Sequence, residues 1–274
     1  MFNIFGKKQR QTVSVSELTL TTMGMRFTHV YKISKADGAF TLFRYRKTYR
    51  GGEDGLELEI KTNCVEADFI KLMNDCNVLS WDGFHGKHPK NVSDGTMFNF
   101  SATVNEDRQI KADGSENFPR GYREFVRTLD QMLYDASAAY EEKNSKALES
   151  FHADLAFGIE EKICLDLNKK QLLLTVGAKP YVITGGEIES FEEVISEVCE
   201  SDDDKGYRFC LNLSVNTPIF DKIMVDLTKG NRPAKPDEDW YLECHMQLLE
   251  LKSWLREWTY THHNKQKTCT PRIL

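Results

Sequence analysis

The sequence predicts an α+β protein of two domains, each a mainly antiparallel sheet or roll packed by one or two helices. Three features predict it. Leu56, Leu58 and Ile60 alternate with Glu57, Glu59 and Lys61, the period of a strand with one wet face, and similar runs recur along the chain. Two stretches instead recur at intervals of three and four: Tyr122, Phe125, Val126, Leu129, Met132 and Leu133, then Tyr241, Cys244, Leu248, Leu251, Leu255 and Trp258. At about residue 135 the apolar residues thin out before strands begin again, and 274 residues suffice for two ordinary cores.

Residues 1–12 are expected to form a flexible lead to the first domain, 13–135. Val13, Val15, Leu18 and Leu20 start a strand meander, and Phe27, Tyr31 and Ile33 share one face of the next strand. Asp37-Gly38 supplies the positive φ angles of a tight turn into a third strand over residues 40–49. A loop over 50–55 leads to the Leu56 strand. Asn63 with Glu66 three residues on reads as a capping box, opening a short helix through Val65, Phe69, Leu72, Met73 and Cys76. Residues 80–94 hold neither period and read as an ordered loop. Phe98, Phe100, Ala102 and Val104 resume the alternation, turn at residues 105–107 and return to Ala112; Pro119 suits the first turn of the Tyr122 helix.

Residues 136–150, rich in Glu and Lys, are expected to be a solvated helical linker. The second domain, 151–260, shows strands at Ile163 to Leu167, Leu172 to Val176 and Tyr181 to Thr184. It shows others at Phe209 to Val215 and Ile223 to Leu227, while Phe191 to Ile195 fits no assignment. Asp202-Asp203-Asp204-Lys205-Gly206 marks a loop tip. Asp237, Glu238 and Asp239 open the last helix and Lys252 and Arg256 lie towards its other end, as the helix dipole favours. Residues 261–274, with His262, His263, Lys265, Lys267 and Arg272, read as a flexible tail.

Net charge is -6, so nothing draws the chain to nucleic acid or an anionic bilayer. The acidic residues from Glu197 to Asp204 also count against lipid headgroups. No apolar run approaches the roughly 20 residues of a membrane span. Seven cysteines, far apart and without a CxxC pair, read as reduced thiols of a cytoplasmic protein.

The densest polar stretch lies between Trp81 and Asn117, and any site in the first domain is expected there. Asp82, His85, His88 and Asp94 combine imidazole and carboxylate, a ligand set that zinc, manganese or iron accepts. The loop is broken by glycine and has no third histidine in phase, so turn formation is the favoured reading and no metal or cofactor is assigned. Asp113, Ser115, Glu116 and Asn117 can orient a ligand beside a helix start. They can equally build turns and caps. Ser115 lacks a small-x-Ser-x-small elbow and has no histidine placed beside it by sequence, so no catalytic residue is assigned. Trp240, Trp254 and Trp258 read as core.

The second half, with phrases such as KICLDLNKKQLLLTV and YRFCLNLSVNTP before a closing helix, resembles pleckstrin-homology-like domains of small bacterial proteins. That resemblance implies an adaptor binding peptides, proteins or lipid headgroups. The first half carries Trp81-Asp82-Gly83-Phe84, Asp94-Gly95 and Gly114-Ser115-Glu116-Asn117-Phe118-Pro119. It resembles a family of uncharacterised bacterial proteins with those motifs, which implies a domain type and no activity.

The expectation is therefore a non-enzymatic binding or scaffolding protein for a protein or peptide partner. Trp81, Asp82, His85, His88, Asp113, Ser115, Glu116 and Asn117 are its candidate contacts. The alternative is a metal-dependent hydrolase using the loop from Asp82 to Asp94 with Glu116.

Overall fold

The computed structural model describes residues 11–267, apart from 37–38, 49–54, 91, 93, 159–160, 202–203 and 229–232. The fold is α+β. The chain divides into two compact units, Met1–Ala139 and Tyr140–Leu274, and each holds its own buried apolar cluster.

In the first unit β1 (Val15–Gly24), β2 (Phe27–Ala36), β3 (Ala39–Lys47) and β4 (Leu56–Cys64) form a meander. Helix α1 (Glu66–Asp75) and a 3-10 turn (Val78–Trp81) lead to β5 (Phe84–Gly86), β6 (Met97–Val104) and β7 (Arg108–Ser115), and α2 (Tyr122–Ser150) follows. The sheet order is β4-β3-β2-β1-β6-β7-β5, antiparallel except for the parallel pair β5 and β7. Leu20, Tyr31, Phe40, Leu42, Phe100 and Ile110 pack with Phe69 and Met73 of α1 and with Phe125, Leu129 and Leu133 of α2.

Several local expectations change. Leu56, Leu58 and Ile60 do not share a face, because the register shifts between Arg44 and Tyr45: Ile60 pairs with Arg44 but Leu58 with Tyr45. A bulge moves the following side chains to the opposite face. Within it, the Glu59 carboxylate meets Arg44 Nε (3.0 Å), Arg46 Nε (3.0 Å) and His29 Nε2 (3.5 Å). Arg44 also reaches Asp130 of α2 (2.9 Å), which accepts the Tyr31 hydroxyl (2.8 Å). Burial holds His29 below its ordinary pKa despite Glu59, and burial with the Asp130 bond pushes the Tyr31 phenol up.

Asn63 caps nothing: β4 runs through it, and its Oδ1 accepts the Thr41 hydroxyl across the sheet (2.9 Å), leaving Val65 at the helix start. Thr12, placed in the flexible lead, is buried, with its N–H and C=O both bonded to the Asn74 side chain (2.7 and 2.9 Å). Pro119 precedes α2, and its carbonyl accepts the Tyr122 N–H (3.1 Å). The Asp37-Gly38 turn and most of the 50–55 loop lie outside the described residues.

The second unit has two sheets. β8 (Leu155–Phe157), β9 (Ile163–Asp166), β10 (Gln171–Val176) and β11 (Lys179–Thr184) form one, and β12 (Ile188–Ser201), β13 (Asp204–Val215) and β14 (Lys222–Asp226) the other. Helix α3 (Asp239–Lys267) closes the order. Phe157, Ile163, Leu165, Leu174, Phe209 and Leu211 pack with Leu248, Leu251 and Trp258 of that helix.

Residues 136–150 are helical, as expected, but as the end of α2 and not as a wholly solvated linker. There Tyr140 and Asn144 are buried, and the Asn144 amide donates to Pro180 O (3.1 Å) and accepts from Val182 N (2.9 Å). The side chain thus satisfies the edge of β11 as a neighbouring strand would. Residues 261–267, expected as tail, continue α3. The unassigned stretch around Phe191 is β12, fourteen residues long. Its alternation is hidden because Glu193, paired with buried Leu211, shares a strand face with Phe191 and Ile195 and forms an ion pair with Lys252 of α3. Of the expected tip, Asp202-Asp203 lies outside the described residues, whereas Asp204, Lys205 and Gly206 already belong to β13 and pair with β12.

Candidate functional site

The polar stretch from Trp81 to Asn117 gathers where β5 runs beside β7. The in-register pairs are Phe84 with Ala112, His85 with Asp113 and Gly86 with Gly114. Beneath lies an aromatic group in which Phe98, Phe118 and Tyr122 have ring centroids 4.6–5.5 Å apart, with Phe84 6.3 Å from Phe98.

Each candidate residue has a definable place. Trp81 is fully buried between Phe100 and Phe125, and its Nε1 donates to Arg120 O (2.9 Å). Asp82 accepts from Lys111 N (3.4 Å) and lies 3.8 Å from Arg108, while the next amide, Gly83 N, donates to Lys111 O (2.8 Å). His85 Nδ1 meets Asp113 Oδ2 at 2.7 Å, with both side chains at least half exposed. His88 Nδ1 meets Ser115 Oγ at 2.7 Å and its Nε2 meets Val92 O at 2.6 Å. A carbonyl only accepts, so Nε2 carries the proton and, in the neutral ring, Nδ1 receives the Ser115 hydroxyl.

Glu116 sits at φ 52°, donates its N–H to Thr96 O (2.9 Å) and accepts the Thr96 N–H on Oε1. The Asn117 carbonyl lies over Gly86 and Gly114, so closely that a methyl on either would overlap it. Asp94 is exposed.

These contacts explain the run Gly114-Ser115-Glu116-Asn117-Phe118-Pro119 as a turn. Gly114 admits the carbonyl, Ser115 ties down the His88 loop, Glu116 takes the left-handed step and Pro119 receives the first amide of α2. The two histidines form separate pairs rather than one converging set. Among the described residues no group of three or more His, Cys, Asp or Glu side chains is placed to share an ion. The Ser115–His88 pair was not legible in advance, because 27 positions separate its members.

If the pair acts as a joint, Ser115→Ala and His88→Ala should each lower unfolding free energy by about 1 kcal/mol, and the double variant by little more than either. Chemical denaturation of the four proteins measures this, and strictly additive losses would show that the bond contributes nothing.

A different surface went unnoticed in the sequence. On α3, Cys244, Leu248, Leu251, Leu255 and Trp258 are buried, whereas Leu242 is 66%, Met246 64% and Leu249 45% exposed. At 3.6 residues per turn those three fall on one line opposite the core stripe. The signal was present as a second helical spacing, overlooked beside the stronger first one. Among the described residues no helix is long and apolar enough to cross a membrane. No protein-family model, curated protein or solved structure matches the chain.

Proposed function

We propose that this is a non-enzymatic binding protein that recognises a protein partner through the outward face of α3. The observation that carries the reading is the exposed line Leu242, Met246 and Leu249 on a helix whose other side is already committed to a core. Apolar side chains grouped on a folded surface mark interaction sites more often than scattered ones do. The order of the second unit, a four-strand meander, a three-strand meander and a closing helix, supports the pleckstrin-homology-like adaptor reading. Cysteine spacing supports a reducing, cytoplasmic setting. In the first unit the polar cluster is engaged in holding β5, β7 and the start of α2, which favours scaffolding over hydrolysis there.

Affinity purification from the native cell tests the reading, comparing the wild-type chain with a Leu242→Asp/Met246→Asp variant and with His88→Ala. A partner retained by wild type and by His88→Ala but lost with the aspartates is the expected result. An unchanged set of bound proteins across all three would reject it.

A further inference from the structure

We infer that the occupant of the α3 face is an amphipathic helix whose apolar stripe is flanked by lysine or arginine. This rests on the binding reading above and adds the chemistry of the partner. Leu242, Met246 and Leu249 stand at i, i+4 and i+7, the anchor spacing by which one helix lies along another. The line continues through Ser253 and Arg256, so the apolar contact is limited to the first half of the helix.

Charge decides between occupants. Along one flank Glu243, Glu250 and Glu257 recur every seven residues, with Asp239 near the start of the same side. Glu243 accepts a hydrogen bond from Gln247 (3.2 Å) and Glu257 lies 3.9 Å from Lys170; neither Glu243 nor Glu250 has an ion-pair partner among the described residues. The other flank holds His245, Lys252 and Thr259, and the Lys252 ammonium is engaged by Glu193, its side chain only 12% exposed. The field beside the apolar line is therefore one-sided and negative.

An anionic bilayer is disfavoured by that row. A second copy laid antiparallel is disfavoured too. A two-fold axis that sets two α3 helices antiparallel places each flank against itself, glutamate facing glutamate. A basic flank satisfies the row, because opposite charges beside a helical seam select partner and orientation.

The test uses the full chain and two synthetic helical peptides of about 20 residues, long enough to hold a helix. Both carry leucine at i, i+4 and i+7, one with lysine flanks and one with glutamate flanks. Fluorescence anisotropy should show the lysine peptide binding at least about tenfold more tightly, with the preference weakening as salt rises. Glu243→Lys/Glu250→Lys should reverse the order, and Leu242→Asp/Met246→Asp should abolish both. All four positions are solvent-facing, and circular dichroism confirms folding of each variant.

Equal affinity for the two peptides, or binding that survives the aspartates, overturns the inference. Failure of both peptides overturns it as well. Self-association by sedimentation that disappears with Leu242→Asp assigns the face to a second copy and also overturns it. Aspartate-sensitive capture from cells combined with indifferent peptides rejects the basic helix alone. Capture that ignores the aspartates rejects the binding reading itself.

Discussion

Replacing Trp81 with alanine is expected to lower the stability of the first unit by about 4 kcal/mol, the usual range for removing a buried aromatic side chain. The side chain is fully buried, with its ring edge-on to Phe100 (centroids 5.1 Å, 73°) and to Phe125 (5.4 Å, 85°). It therefore joins β6 to α2 from the end of the 3-10 turn. Its Nε1–H is also the donor to Arg120 O, so alanine leaves a cavity and an unmatched carbonyl together. Trp81→Phe keeps most of the volume and loses the donor, and about 1.5 kcal/mol is expected for it.

Trp81 is the only tryptophan of the first unit, since the others are Trp240, Trp254 and Trp258. Far-ultraviolet circular dichroism in urea should thus show the loss, while the fluorescence of the remaining three reports the second core, whose midpoint should hold. A Trp81→Ala loss below about 1 kcal/mol would mean that the residue is no anchor of that core.

The same residue shows what a sequence can and cannot reveal. The α+β class was legible because alternation and helical spacing are long-range patterns that survive local exceptions. The exceptions were illegible because each depends on a partner distant in sequence. As a residue type Trp81 reads as a partner contact, yet its neighbours Phe100 and Phe125 place it in the core. β5 has three residues, too few for any period, and exists because β7 pairs with it. β12 was hidden by Glu193, a partly exposed acid that shares a strand face with Phe191 and Ile195 and meets Lys252 of α3. The residue types of the candidate site were legible too, but whether His88 would meet Ser115 or a metal was decided by the fold of the loop between them.

The glycines of that turn provide the second large effect. Gly86→Ala and Gly114→Ala should each lower stability by about 3 kcal/mol, at the upper end of what overpacking produces. Gly86 and Gly114 lie side by side on parallel strands, and the Asn117 carbonyl oxygen occupies the space where either β-carbon would stand. The obstacle is backbone: Asn117 is held between Glu116, bonded twice to Thr96, and Pro119, bonded to Tyr122. The chain cannot yield there without disturbing the entry to α2.

Gly83 supplies the control. It has a positive φ of 76°, but a β-carbon there meets nothing within 4 Å. Gly83→Ala should therefore cost only the conformational preference, about 1 kcal/mol. Urea denaturation of the three single variants measures the order. Gly83→Ala equal to or worse than Gly86→Ala would mean that backbone angle, not the Asn117 carbonyl, dictates glycine in this module. The motif would then lose its explanation as a close-packed turn, and the polar residues around it would need a reason other than holding that turn in place.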